Sequence, residues 1–476
     1  MRGALAAGHP LTAEAGADVL RAGGNAVDAC IAAAAVSWVC ESPLTGPGGG
    51  GFLLVHTARE ARTRLLDFFV AVPQGTATAS PGELVGLVVD YGDSQQTFYT
   101  GPMSVAVPGA VLGLWEAHRR WGSVPWAELL VPAARLARDG VVLNEVQAFL
   151  HRILDPLLRY SPEGDALYGH PAGSAVGEAG ARRRGEGRAL REGERFAVPE
   201  LADTLEQVAA EGAGCLYRGE FAERIAAHVP ISLDDLARYE VIEREPLPAS
   251  YRGEDLWTTP PPSSGGRLLA VGLEALGDVE PTPPAIVRAM EAQDAMRAEA
   301  LGGTTHISAV DGNGDAASLS CSMGSSGGVV VPGTGIQLNN MLGEPQLAGE
   351  QRPGERARSL MAPSLLLREG RPRLVVGSAG STRLHGAILQ VVVNVAARGL
   401  GVEEAVEAPR IHFESGVVHC EDLAAADELE AAGYPVVRWH EHNLFFGGVS
   451  AVEIRGDGSL AGAGDPRRGG AAVVVA

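Results

Sequence analysis

Apolar and polar positions along the chain alternate with two different periods. Residues 29–39 are apolar almost all round, as expected of a buried helix, with Asn25 as its cap and Asp28 three positions on. Upstream, Thr12 is placed to cap a helix running to about Arg21, with Glu14 in its first turn and Gly23 ending it. Residues 102–160 read as helices with polar breaks, and further helices are predicted over 201–211, 267–276 and 284–300, with a short one capped by Ser232 and Asp235. From Thr382 a helix places Leu384, Ala387, Ile388, Val391, Val392 and Val395 on one face. Short apolar runs at 52–56, 329–331 and 373–376 predict strands, and the C-terminal stretch alternates strands and turns as far as Val475.

One hairpin stands out. Thr304-Thr305-His306-Ile307-Ser308 opens a strand directly after Gly302-Gly303, and Asp311-Gly312-Asn313-Gly314-Asp315 turns it back into 316–322. Asp, Asn and Gly accept the positive φ that a tight turn needs. With Gly312-Asn313-Gly314 as the loop, Val310 faces Ala316, Ser308 faces Ser318, His306 faces Ser320 and Thr304 faces Ser322. Opposed residues project from one side of a sheet with Cβ atoms about 5 Å apart. Two hydroxyls therefore meet at the start of the strand.

A threonine hydroxyl is a poor nucleophile until a base takes its proton. An N-terminal threonine solves this with its own α-amine, which titrates near pH ~7.7–8.0. Thr304 is internal, so that chemistry requires cleavage between Gly303 and Thr304. Taken alone, the pattern is also that of an ordinary hairpin with surface hydroxyls.

Composition narrows the setting. The 476 residues are 46% hydrophobic and 20% charged, the profile of a soluble globular protein with a large core. A net charge of −20 argues against nucleic acid or an anionic membrane as partner. No lysine occurs, and arginine fills all 38 basic positions. Five cysteines are scattered without a C-x-x-C pair, and the first ten residues are too poor in apolar side chains for a signal peptide, so the expected compartment is the cytoplasm. Residues 173–195, rich in Gly and Arg, read as a solvated loop.

Other motifs compete with the hairpin. Gly46 to Gly51 contains G-x-G-x-x-G, but it follows a helix and opens a strand, the reverse of a dinucleotide site. Gly324-Ser325-Ser326-Gly327-Gly328 fits the serine-hydrolase elbow, yet a strand follows where that motif needs a helix. His440 with His442, and His412 with His419, lack zincin spacing and read as exposed loop histidines. No metal site or Walker loop is expected.

Ordered blocks along nearly the whole chain resemble the gamma-glutamyltransferase (glutathione hydrolase) family of N-terminal-nucleophile hydrolases. They include Gly23-Gly24-Asn25-Ala26-Val27-Asp28-Ala29, the glycines of Gly46 to Gly51, Pro260 to Gly266, Thr304-Thr305-His306, Asn339-Asn340, Gly377-Ser378 with Gly380 and Arg383, and Asp465-Pro466-Arg467. The resemblance implies an α+β, four-layer αββα sandwich without a cofactor. It implies self-cleavage of one precursor into a large subunit 1–303 and a small subunit 304–476, with a dimer of such pairs left open. Thr304 would be the nucleophile and Ser322 its hydroxyl partner, while Gly380 and Ser381 stand at the oxyanion turn.

The substrate half departs from the family. Its Asp-x-Arg block, whose arginine clamps the glutamyl carboxylate, reads Asp67-Phe68-Phe69. Of two paired serines Ser359 survives and the other is Leu360; Glu344 stands for an aspartate and Met341 for a polar residue. An asparagine expected near Gly324 is missing, and shorter segments before Thr304 and after Glu344 predict no lid. Each lost charge-assisted contact is worth ~1.5–3 kcal/mol, so glutamyl binding should be weak. The expected reaction is hydrolysis or transfer of an acyl group of a small amide, to water or an amine acceptor, with classical gamma-glutamyl transfer left open but weakened by Phe69 and Leu360. Two alternatives stay open: C–C bond cleavage next to a carbonyl, as in alkylproline antibiotic pathways, and an uncleaved, non-catalytic binding relative.

Overall fold

The computed structural model describes residues 3–74, 84–90, 95–171, 187–296, 304–343 and 352–476. Counting the strands of its two main sheets in chain order, the first six are β1 (Gly3–Ala7), β2 (Gly50–Thr57), β3 (Arg62–Phe68), β4 (Ile242–Arg244), β5 (Leu247–Tyr251) and β6 (Glu254–Thr258). The rest are β7 (Thr305–Val310), β8 (Ala316–Ser322), β9 (Ser364–Arg368), β10 (Arg371–Ala379), β11 (Gly448–Ile454), β12 (Leu460–Gly464) and β13 (Ala471–Val475). One antiparallel sheet runs β4-β3-β2-β8-β7-β1-β13 and the other β5-β6-β9-β10-β11-β12.

Side-chain alternation explains the layering. Phe52, Leu54, Val310 and Ala316 point from the first sheet onto Leu365, Leu367, Val375 and Val452 of the second. Their neighbours Leu53, Val55, Ile307 and Leu319 point the other way, into the helices Pro10–Arg21 and Ala26–Cys40. Beyond the second sheet, Leu366, Leu374 and Val376 meet the helices Gly265–Leu276, Pro283–Met296 and Leu384–Ala396. The result is the expected αββα sandwich.

Asn25 and Asp28 form the predicted capping box, and every residue of Ala26–Cys40 is buried. Elsewhere the structure corrects the reading. His9, not Thr12, caps the first helix: its ring accepts the Leu11 N–H, and Pro10 starts the helix before Thr12 is reached. Thr12 is buried inside that helix instead. The C-terminal stretch also contains the helices Val402–Glu407 and Leu423–Ala431, too short to show a full apolar face. Of the stretch 173–195, residues 173–186 lie outside the described set, and the remainder holds the strand Gly187–Ala189 and the first residue of the strand Arg195–Phe196. Among the described residues no helix is long and apolar enough to cross a membrane.

Candidate active site

The central hairpin takes the expected register: Thr305 opposes Cys321, His306 opposes Ser320, and Val310 opposes Ala316. Continued by one residue, it sets the buried Thr304 against Ser322, which in turn opposes Gly50 on β2. The turn closes through the Asp311 N–H on the Asp315 carbonyl, and the Asp311 carboxylate accepts the Ala26 N–H from the buried helix. Ser322 Oγ accepts the Gly324 N–H at 2.9 Å. The glycine block before β2 serves close backbone contact. A Cβ on Gly49 would stand 2.3 Å from the Ser322 carbonyl, and one on Gly48 2.1 Å from that of Gln337.

Thr305 points to the helix layer. Its hydroxyl donates to Glu41 Oε2 at 2.6 Å, and Thr12 donates to Oε1 at 3.0 Å. Glu41 lies just past the end of the apolar helix, and burial raises its carboxyl above the usual range despite those two hydroxyls. A side chain on Gly8 would collide with it, at 2.4 Å.

His306 points the opposite way, between the sheets. Its Nδ1 lies 2.8 Å from Ser320 Oγ and its Nε2 3.0 Å from Ser308 Oγ. Ser308 donates its own proton to the Ser450 carbonyl, so Nε2–H donates to Ser308 and Nδ1 accepts from Ser320. Gly377 leaves room for the ring, since a Cβ there would stand 2.2 Å from its Cε1. Burial drives the ring pKa down to about 3. Below about pH 6.5 the unfolded chain therefore binds a proton that the native ring refuses. Stability should fall as pH drops from about 6.5 towards 3, a trend that His9, His151 and His419 share because burial lowers each to about 4. His306→Gln should reduce the slope of denaturation midpoint against pH over that interval.

Strand β10 ends in a strained turn. Gly380 has φ +133°, Ser381 has φ +58°, and a single 3-10 turn leads into the helix Leu384–Ala396. A serine in the left-handed region is held there by its surroundings. Gly380 packs against Gly447, where a Cβ would come within 2.5 Å of Cα. Arg410 holds that neighbour, donating to the Phe446 and Gly447 carbonyls at 3.2 and 3.3 Å. Arg410 pairs with Asp465 at 2.5 Å, and Arg467 bridges Asp465 at 3.2 Å and Glu421 at 2.5 Å. One cavity is lined by Thr304, His306 and Ala379, and an adjoining one by Gly380 and Ser381. Leu44, Leu150 and Arg468 line both.

The family model for gamma-glutamyltranspeptidase matches residues 12–296 and 278–475. The chain belongs to the gamma-glutamyltranspeptidase family. An acylase ACY 1 proenzyme from Pseudomonas sp. (strain SE83) is 32% identical, covering 100% of this chain and 94% of its own. A glutathione hydrolase proenzyme from Pseudomonas aeruginosa is 29% identical, covering 99% and 94% respectively. The crystal structure of cephalosporin acylase from Bacillus halodurans superposes with a TM-score of 0.81 at 26% identity, over 99% of this chain and 95% of that one. The sandwich is thus the N-terminal-nucleophile hydrolase fold, and the chain is a gamma-glutamyltransferase-like enzyme of that class.

The positions that the family resemblance assigns to the substrate are apolar or already hydrogen-bonded within the chain. Phe69 is buried, stacks on Phe52 with centroids 5.6 Å apart, and shares an apolar layer with Met341 and Met361. The Asp67 carboxylate beside it accepts the Phe69 N–H at 3.0 Å and Arg244 at 2.6 Å. Ser359 Oγ accepts the Met361 N–H at 3.0 Å, and its carbonyl takes the hydroxyls of Ser263 and Ser264. Leu360 packs between Leu268 and Leu384. Gly303 and Glu344 lie outside the described residues.

The serine-elbow stretch borders this site, with Gly324 bonded to Ser322 and Ser325 lining the second cavity, but it lacks the elbow's geometry. Ser326 is buried at φ +83° and leads to the strand Val330–Val331, not to a helix. His440 and His442 are exposed as expected. His412 and His419 are not loop residues: they oppose each other across a strand pair and pack on Phe445. No cluster among the described residues has the makings of a metal site. Two residues beside Thr304 escaped the sequence. Glu41 could have been noticed as a carboxylate ending an otherwise apolar helix; Arg468 had no such signal.

Proposed function

We propose that this enzyme cuts its own chain between Gly303 and Thr304 and then uses Thr304 to hydrolyse or transfer the acyl group of a small amide. In this reading residues 1–303 form the large subunit and 304–476 the small one. The freed α-amine takes the proton from Thr304 Oγ1, the oxygen attacks the amide carbonyl, and the amine leaves with a proton as the acyl-enzyme forms. Water or a second amine then releases the acyl group. One observation carries the reading: the register that opens a buried strand on Thr304 opposite Ser322, beside a cavity adjoining the Gly380–Ser381 turn. Turns of this kind can offer backbone N–H groups to a developing oxyanion.

The acyl group need not be glutamyl. Phe69 and Leu360 provide packing where the family resemblance places an arginine and a serine, and Phe69 is already stacked against Phe52. Glutathione and gamma-glutamyl anilides should therefore be turned over poorly beside other acyl anilides, as progress curves would reveal. The primary test is mass spectrometry of purified protein. Two pieces of roughly 31 and 18 kDa are expected from the 49.3 kDa chain, the smaller with a free amine on Thr304. A single wild-type chain would overturn the proposal.

A further inference from the structure

The cavity that holds Gly380 and Ser381 has an unusual charge for this molecule. Its charged lining residues are Arg383 and Arg468, with no carboxylate side chain among them, in a protein of net charge −20. The remaining wall is largely apolar, with Phe98, Leu150, Leu154 and Leu444. Both guanidinium groups are positioned by the fold. Arg383 donates Nε to the Phe445 carbonyl at 2.9 Å and lies over the Phe445 ring, 4.6 Å from its centroid. Arg468 runs its stem along Gly448, where a Cβ would meet Cδ at 2.3 Å, and brings one terminal nitrogen to 3.7 Å from where a Gly380 Cβ would stand.

Arg468 also lines the cavity of Thr304. Two acids share that first cavity. Asp465 is tied to Arg410 and Arg467, and Glu41 already takes two hydroxyls while attracting Arg468. The arginines near Phe69 belong to a separate group, with Arg244 and Arg356 lying 2.6 and 3.5 Å from Asp67.

We propose that the second cavity is an anion subsite in which Arg468, backed by Arg383, receives a carboxylate carried by the substrate at the far end of an apolar linker from the scissile amide. The inference rests on the Thr304 reading for the identity of the bond that is cut. Planar guanidinium groups suit a carboxylate, and the apolar walls suit the methylenes that separate it from the reacting carbonyl. The family resemblance places the lost carboxylate clamp at Phe69; here the charge would come from the other side of the oxyanion turn.

The test uses two amides that differ in one terminal group, glutaramate and pentanamide. Saturating glutaramate should raise the melting midpoint of the wild-type protein, and pentanamide should not. Arg468→Gln should abolish that shift, whereas Arg468→Lys, which keeps the charge but loses the fork, should retain part of it. The p-nitroanilides of the same two acids give the second readout. In Arg468→Gln the preference in kcat/KM for the carboxylate-bearing anilide should fall about tenfold or more. Equal shifts from both amides, no shift with glutaramate, or a glutaramate shift that survives Arg468→Gln would each overturn the subsite. An uncut chain that hydrolyses neither anilide yet still shows the Arg468-dependent shift would instead sink the Thr304 reading and leave the subsite standing.

Discussion

Thr304→Ala should accumulate as one 49.3 kDa chain with no measurable acyl-anilide hydrolysis, while Thr305→Ala should still be cut. The two threonines are neighbours in sequence but face opposite layers of the sandwich. The Thr304 position aligns with Ser322 between the sheets, whereas Thr305 is bonded to Glu41 under the helices. In the proposed mechanism, alanine at 304 removes the oxygen that serves both chain cleavage and acyl transfer. Deleting a hydrolase nucleophile typically lowers turnover on the order of 10⁴-fold or more. Thr304→Ser keeps an oxygen and should recover part of both reactions. Alanine at 305 leaves a buried carboxylate with one hydroxyl fewer, which costs about 1–3 kcal/mol of stability and no nucleophile. Gel analysis with time separates these outcomes. An uncut Thr305→Ala chain would move the essential hydroxyl by one residue.

Asp465→Ala should destabilise the protein by about 3–5 kcal/mol and cut activity more than that loss of fold explains. Asp465 is buried among Arg410, Arg467 and the Val449 N–H. Removing it leaves Arg410 as a buried charge without its carboxylate, and Arg410 is the group that holds the carbonyls beside Gly447. Gly447 in turn backs Gly380, so the expected fault reaches the Gly380–Ser381 turn and, if that turn holds the oxyanion as proposed, should appear in kcat even at temperatures where the variant is folded. The pH dependence follows from the charges. Burial alone would raise the Asp465 carboxyl, but Arg410, Arg467 and the Val449 N–H outweigh it and hold it below its usual range. Its contribution is therefore complete above the unfolded carboxyl's value near pH ~4 and is lost as pH falls further. Denaturation midpoints of wild type and variant should converge in acid.

What could be read beforehand was whatever depended on local pattern. The hairpin register followed from Asp311 to Asp315, because turn chemistry sets which residues oppose one another. The buried helix announced itself through an unbroken apolar stretch and its cap. Thr12 was misplaced because a threonine before a periodic run resembles a cap, whereas the ring of His9 does that work and the Thr12 hydroxyl is needed by Glu41. His412 and His419 looked like loop residues because short strands bearing polar side chains show no clean alternation. Arg468 was invisible for a different reason. Its significance comes from Gly380 and Gly448, which are distant in the chain from each other and from Thr304, and only the assembled sandwich makes them neighbours.

The strand order carries a consequence for durability. Residues 1–303 supply β1 to β6 and residues 304–476 supply β7 to β13, and in the first sheet the two sets interleave. Their boundaries are the ladders β2–β8, β7–β1 and β1–β13, with a fourth at β6–β9 in the second sheet. If the bond before Thr304 is cut as proposed, unfolding turns one particle into two. Its midpoint should then rise with protein concentration, unlike that of the uncut Thr304→Ala chain. Reassembly would require β1 to find its slot between β7 and β13 by diffusion. The cut enzyme would thus owe its lifetime to the slowness of opening, while folding itself belongs to the intact precursor.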